Sequence, residues 1–251
     1  MISFAHVILL VVAGFVAGVL GSAGGITSLI SYPALLAIGI APLPANVTNA
    51  VALMASLPGS ALGSRPELKG QGPWLRRWVL VAVGGCVVGV ALLLLTPDRV
   101  FNHLVPYLLV LASVVLLAQP WISRWHERRD VQVHRFLLPL GLFVVAIYSG
   151  YFGAGSGVML LALFLLTVDQ GFPRANALKN VLLGIADVVA AAGFLLFGPV
   201  HVGAALSLGG GLLIGSFIGP SITRKVPGSA LRVFAALLGF ALAIGLWISS
   251  N

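Results

Sequence analysis

The sequence predicts an all-α polytopic membrane protein made of two inverted repeats of about five hydrophobic helical segments, each with a glycine-broken helix pair. Three observations carry this. Of the 251 residues, 59% are hydrophobic and 8% charged, with a mean hydropathy of +1.10; no soluble domain needs that balance. The apolar residues fall into ten runs without strand alternation, and lipid admits only helices or closed barrels. Two glycine-rich breaks, Gly21-Ser22-Ala23-Gly24-Gly25 and Gly153-Ala154-Gly155-Ser156-Gly157, interrupt those runs at matching places.

The first five segments lie near residues 4–20, 26–41, 47–63, 78–95 and 103–121. The second five lie near 136–152, 158–169, 175–197, 201–219 and 230–249. The repeats therefore span 1–122 and 136–251, joined by a cytoplasmic linker at 123–135. Segment 1 starts at Phe4 with no basic residue before it, which argues against a cleaved signal peptide. Spanning takes ~20 residues at ~1.5 Å each, so 158–169 covers little more than half a bilayer. Segments 1 and 2, like segments 6 and 7, are either half-helix pairs or short tilted helices meeting at the break. In segment 3, Pro58 frees a carbonyl one turn earlier and predicts a kink.

Basic residues cluster in alternate loops. Arg65, Lys69, Arg76 and Arg77 follow segment 3; Arg124, Arg128, Arg129 and Arg135 follow segment 5. Arg174 follows segment 7, and Arg224 and Lys225 follow segment 9. The positive-inside rule makes that side cytoplasmic and places both termini outside. Trp74, Trp78, Trp121 and Trp125 flank these loops, as an aromatic belt requires. The net charge of +8 belongs to these loops, and no basic, aromatic-interleaved run points to nucleic acid.

The halves match in detail. Gly18-x-x-Gly21 maps to Gly150-x-x-Gly153 at an offset of 132, Ala45-Asn46 to Ala175-Asn176 at 130, and Gly85-x-x-x-Gly89 to Gly211-x-x-x-Gly215 at 126. An odd number of segments per half gives the halves opposite orientation. The loop after segment 8, Gly198-Pro199-Val200, lacks the charge of its counterpart after segment 3. Gly211, Gly215 and Gly219 read as a close helix-packing face.

Candidate site residues follow from the breaks. A helix starting at Gly25 or Gly157 presents unpaired N–H groups and the positive end of its dipole. Gly21, Gly24, Gly153 and Gly155 let a ligand approach the backbone, and Ser22 and Ser156 add hydroxyls. Together they form a cradle for a small oxyanion, against the plainer reading of small-residue helix packing. Asn46 and Asn49 open segment 3, and Asn176 and Asn180 open segment 8. N-capping accounts for one Asn per helix, while the second, a turn deeper, fits a polar face along a cavity. Lys179 is the basic residue best placed for an anionic substrate, unless it snorkels to the interface. Asp187, deep in segment 8, reads as a proton-coupling relay or as a structural anchor.

Other chemistries have less support. No cofactor is called for, and Cys86, the single cysteine, excludes an intrachain disulfide and a cysteine metal cluster. No Gly-x-x-x-x-Gly-Lys loop is present to bind ATP. Ser156 with His201 mimics an intramembrane serine protease, but its repeat partner Ser22 has no matching histidine. His103 and His201 begin segments and read as interfacial.

The motifs Gly18-x-x-Gly21-Ser22-x-Gly24-Gly25, Pro33 and Ala45-Asn46-x-Thr48-Asn49-Ala50 resemble the first half of the sulfite exporter TauE/SafE family. Gly153-x-Gly155-Ser156-Gly157 and Arg174-Ala175-Asn176-Ala177-Leu178-Lys179-Asn180 resemble its second half. Leu178 stands where the first repeat has Thr48, so a hydroxyl contact there need not be two-fold. The resemblance implies a non-enzymatic inner-membrane secondary transporter of sulfur-containing anions such as sulfite, thiosulfate or organosulfonates. Its partners would be the anion, the lipid bilayer and protons as coupling ion. A passive anion channel is the alternative reading of the same residues.

Overall fold

A computed structural model describes residues 3–126, 134–168 and 171–223, with residues 237, 240, 243 and 244. Most of segment 10 and most of the linker lie outside the described residues. Among the described residues every regular element is a helix. In order these are α1 (Phe4–Gly24), α2 (Ser28–Ala37), α3 (Pro42–Leu53), α4 (Ser56–Gly63), α5 (Arg65–Leu68), α6 (Gly72–Leu95), α7 (Asp98–His126), α8 (His134–Tyr151), α9 (Ser156–Thr167), α10 (Phe172–Phe197) and α11 (Val202–Thr223).

Five of them, α1, α6, α7 to Ala118, α10 and α11 to Ser221, are long and apolar enough to cross a membrane. α2 has 10 residues and α9 has 12, so each rises only ~15–18 Å. The short segments are thus short helices on the far side of each glycine break. Segment 3 is two helices. Its chain turns at Met54-Ala55, and Pro58 lacks the N–H that would bond the Met54 carbonyl, so the predicted kink is a full interruption. Segment 8, without a proline there, runs unbroken as α10.

Glycines set the closest helix contacts. α1 lies along α11, and α6 along α8. A Cβ on Gly18 would sit 2.7 Å from the Leu212 carbonyl oxygen, and one on Gly85 would sit 2.6 Å from that of Phe143. A side chain on Gly89 would strike the Ile147 carbonyl, and one on Gly150 that of Cys86. The packing-face reading of Gly211 and Gly215 is correct: both meet the α1 backbone, at Val11 and Phe15. Gly215→Leu is therefore expected to lower the detergent melting midpoint, because overpacking costs ~1–3 kcal/mol or more. Gly210→Ala is the control; nothing lies within 4 Å of its added Cβ, and no loss is expected.

The interior divides into a large apolar cluster, with Leu10, Leu29, Leu109, Phe101 and Phe194, and a smaller one around Leu161, Phe164, Leu178 and Leu182. α10 packs against α3, α4, α6 and α9 and lies between the two clusters. Exposed Leu, Val and Phe side chains on α1, α6, α7 and α11 leave an apolar exterior, as lipid requires.

Candidate functional site

The two breaks meet backbone to backbone. Gly25 ends α1 in the left-handed region (φ 81°, ψ 22°), donating its N–H to the Gly21 carbonyl at 2.6 Å. A Cβ on Gly25 would lie 2.7 Å from the Val158 nitrogen, and one on Gly157 would lie 2.6 Å from the Gly25 Cα. On the second side Gly153 and Gly155 both have φ 78°. That conformation reverses the chain between α8 and α9 at no steric cost only for glycine.

Beside this contact is a cavity of ≈ 50 Å³. Nine sequence-predicted residues line it: Gly21, Ser22, Gly25, Gly153, Ser156, Gly157, Lys179, Asn180 and Asp187. The first turns of α2 and α9 border it through Ser28, Ser156 and Gly157, so the positive ends of two helix dipoles lie at its wall, although the Ser156 N–H is already taken by the Gly153 carbonyl at 3.1 Å.

The predicted residues outside the wall have other partners. Asn46 Nδ2 donates to the Tyr151 carbonyl at 3.0 Å, at the end of α8. Asn176 Nδ2 donates to the Ser22 carbonyl at 2.8 Å, near the end of α1. An asparagine from each half thus satisfies the broken helix of the other. Asn49 Oδ1 accepts from Ser31 Oγ at 2.6 Å. Gly155 packs on Ala112, and Gly24 faces open space.

N-capping explains none of the four asparagines. α3 begins at Pro42 and α10 at Phe172, with Pro173 following. A proline in the first turn starts each helix because its missing N–H is one that would go unpaired anyway. The asparagines then lie a turn or more inside.

Lys179 does not snorkel. It is 1% exposed, and its ammonium donates to the Gly21 carbonyl at 3.3 Å. Asn180 Nδ2 joins Asn176 on the Ser22 carbonyl at 3.0 Å. A cation suits the negative end of α1, and Lys179 keeps donors to spare beside the cavity. Asp187 stands two turns along the same helix in the same wall.

The hydroxyls of Ser22 and Ser156 are already engaged, which sequence reasoning did not foresee. Ser22 Oγ donates to Gly18 O at 2.7 Å and Ser156 Oγ to Gly153 O at 2.8 Å. In an apolar setting a serine readily takes the nearest preceding carbonyl. Sequence reading missed Thr27, Ser28, Ser60 and Ser149 in the wall. Ser56 and Ser60 stand one turn apart on α4 in the same wall. Ser156 is 6% exposed, while His201 is exposed at the start of α11. The His201 main-chain N–H bonds Thr48 Oγ1 at 3.0 Å. Ser156 Oγ bonds Gly153 O and Ser149 Oγ, not His201.

Among the described residues no cluster of His, Cys, Asp and Glu is arranged to hold a metal ion. The chemistry on offer is a small polar cavity with one buried ammonium and two helix N-termini, inside an apolar shell.

The sequence pattern of the family described as Sulfite exporter TauE/SafE matches residues 7–246. The chain is 29% identical over 243 residues to a probable membrane transporter protein, ORF9, of Sinorhizobium sp, covering 94% of this chain and 90% of that protein. It is 23% identical over 235 residues to a probable membrane transporter protein of Haemophilus influenzae, covering 91% and 89%. With the probable membrane transporter protein YfcA of Escherichia coli K12 the identity is 24% over 218 residues, covering 85% and 76%. No solved structure matches the chain. With its apolar spans, paired glycine breaks and nearly full-length match, the chain belongs to the sulfite exporter TauE/SafE family of membrane transporters.

Proposed function

We propose that this transporter carries a small sulfur-containing anion (sulfite, thiosulfate or an organosulfonate) across the inner membrane by alternating access. The observation that carries the reading is the cavity where Gly25 meets Gly157, walled by the buried Lys179 ammonium and the first turns of α2 and α9. Helix N-termini and a desolvated cation together favour an anion.

The same reading orients the two halves oppositely, with the basic loops in the cytoplasm and both termini outside. Cross-half packing supports it. Gly18 of α1 meets α11, and its match Gly150 of α8 meets α6; Asn46 and Asn176 exchange bonds with the opposite halves. Asp187 is the proposed coupling residue, because a carboxyl in the wall of an anion site favours a proton arriving with the anion.

A thermal-stabilisation screen of purified protein tests this, with sulfite, thiosulfate, sulfate, taurine and sulfoacetate. A ligand of the folded state raises its apparent stability. Sulfite or thiosulfate is expected to raise the melting midpoint most. A midpoint unmoved by all five would reject the anion site. In vesicles, saturable flux that responds to an imposed proton gradient separates the carrier from a passive channel.

A further inference from the structure

The aromatic side chains near the second break form a cluster that stands outside the cavity wall. Phe152 immediately precedes Gly153, a wall residue, and is 4% exposed. Its ring meets Tyr32 edge-on at 5.5 Å, Phe101 at 6.2 Å and Tyr148 at 6.5 Å between centroids. Phe101 in turn meets Tyr151 at 6.1 Å.

The tyrosines are held in place. Tyr148 Oη donates to Ala154 O at 2.7 Å, Tyr32 Oη to Pro42 O at 3.4 Å, and Tyr151 Oη to Thr96 Oγ1 at 3.4 Å. The cluster therefore ties α2, α7 and α8 to the start of α3 and to the residue that follows α6.

Its position is between the cavity and one end of the molecule. Phe101 is fully buried in the first turn of α7, yet its neighbours Arg99 and Asn102 are exposed. Phe152 and Phe101 thus join Gly153 to the turn where α7 begins. Elsewhere the wall includes Ser56 and Ser60 of α4, whose end at Gly63 leads into the basic loop.

Among the described residues the first break has no such cluster. At the offset of 132 the positions matching Tyr148, Tyr151 and Phe152 are Val16, Val19 and Leu20. A packed apolar constriction excludes water, and with it an ion that needs hydration.

We propose that Phe152, wedged among Tyr32, Phe101 and Tyr148, is the gate that closes the cavity from the face where α7 begins. Access from that face opens when the Phe152 ring withdraws; a second aromatic cluster, Trp74 with Trp78 and Phe164, lies on α6 and α9 beside the basic loop. The proposal rests on the cavity being the transport site. Its test needs no substrate, so the two can fail separately.

In a Cys86→Ala background, single cysteines at Ser28 or Ser56 report on the cavity. Membrane vesicles are treated from each face with a membrane-impermeant methanethiosulfonate reagent. Labelling is expected from the basic-loop face and to be nearly absent from the α7-start face. Phe152→Ala is expected to raise labelling from the α7-start face at least about tenfold, by shifting the population toward the open state. Should Phe152→Ala not yield monodisperse protein, Phe101→Ala removes the outer ring and carries the same expectation. Equal labelling from both faces in the background, or no rise in a folded variant, overturns the gate. One-sided labelling without any anion response rejects the transport site and leaves the gate standing.

Discussion

Alanine at Gly25 is expected to abolish transport and to lower the melting midpoint of the purified protein, and alanine at Gly157 to do so less severely. Both carry backbone where a side chain would go. At Gly25 the added Cβ would lie 2.5 Å from the Gly157 carbonyl carbon, and φ is 81°. Left-handed backbone costs an L-residue ~1–2 kcal/mol, and the overlap adds ~1–3 kcal/mol. At Gly157 only the overlap applies; its Cβ would lie 2.7 Å from the Gly25 carbonyl oxygen. Neither contact ends on a flexible side chain that can swing away, so the two breaks must move apart. That separation opens the cavity they border.

Gly24→Ala is the discriminating control. Gly24 belongs to the same motif, yet nothing lies within 4 Å of its added Cβ. Near-wild-type stability and flux are expected there. Wild-type stability in both Gly25→Ala and Gly157→Ala would show that the breaks do not touch.

The second large effect is expected at Lys179. Lys179→Gln retains a donor for the Gly21 carbonyl and removes the charge. Saturating anion at ~100 times its Kd stabilises a one-site protein by ~2.7 kcal/mol. The wild type should show a shift of that order, and the variant none. Two roles for the lysine are separated by this measurement. If its ammonium serves only the negative end of α1, the variant loses apo stability but still responds to anion. If it binds the anion, the response itself disappears. A variant with wild-type response and wild-type saturation of flux would remove Lys179 from the site.

The asparagines show where reading along one strand of sequence reaches its limit. Asn46, Asn49, Asn176 and Asn180 looked like helix openers because apolar runs begin beside them. Pro42 and Pro173 start those helices a turn or more earlier, since a proline loses nothing in a first turn. What the asparagines do is cross the molecule. Asn46 reaches 105 residues along the chain to Tyr151, and Asn176 reaches 154 residues back to Ser22. Their pairing with the broken helices had a sequence trace in the Ala-Asn match between halves, but the acceptor had none. Ser22 and Ser156 show the converse: their place in the wall was legible, and the partners of their hydroxyls were not.

Composition, segment lengths and the duplicated glycine motifs were enough to establish a helical membrane protein, the short helices after each break and the break residues themselves. These follow from rules that act locally: lipid demands internally bonded backbone, ten or twelve residues cannot span it, and only glycine takes φ near +80° without strain. Tertiary structure decided that Gly25 touches Gly157, that Lys179 is buried on the Gly21 carbonyl, and that rings from α2, α7 and α8 close around Phe152. Each of these joins residues far apart in the chain. Which distant carbonyl or ring meets a given side chain depends on how whole helices pack, and helix packing is a property of facing surfaces rather than of any single stretch of sequence.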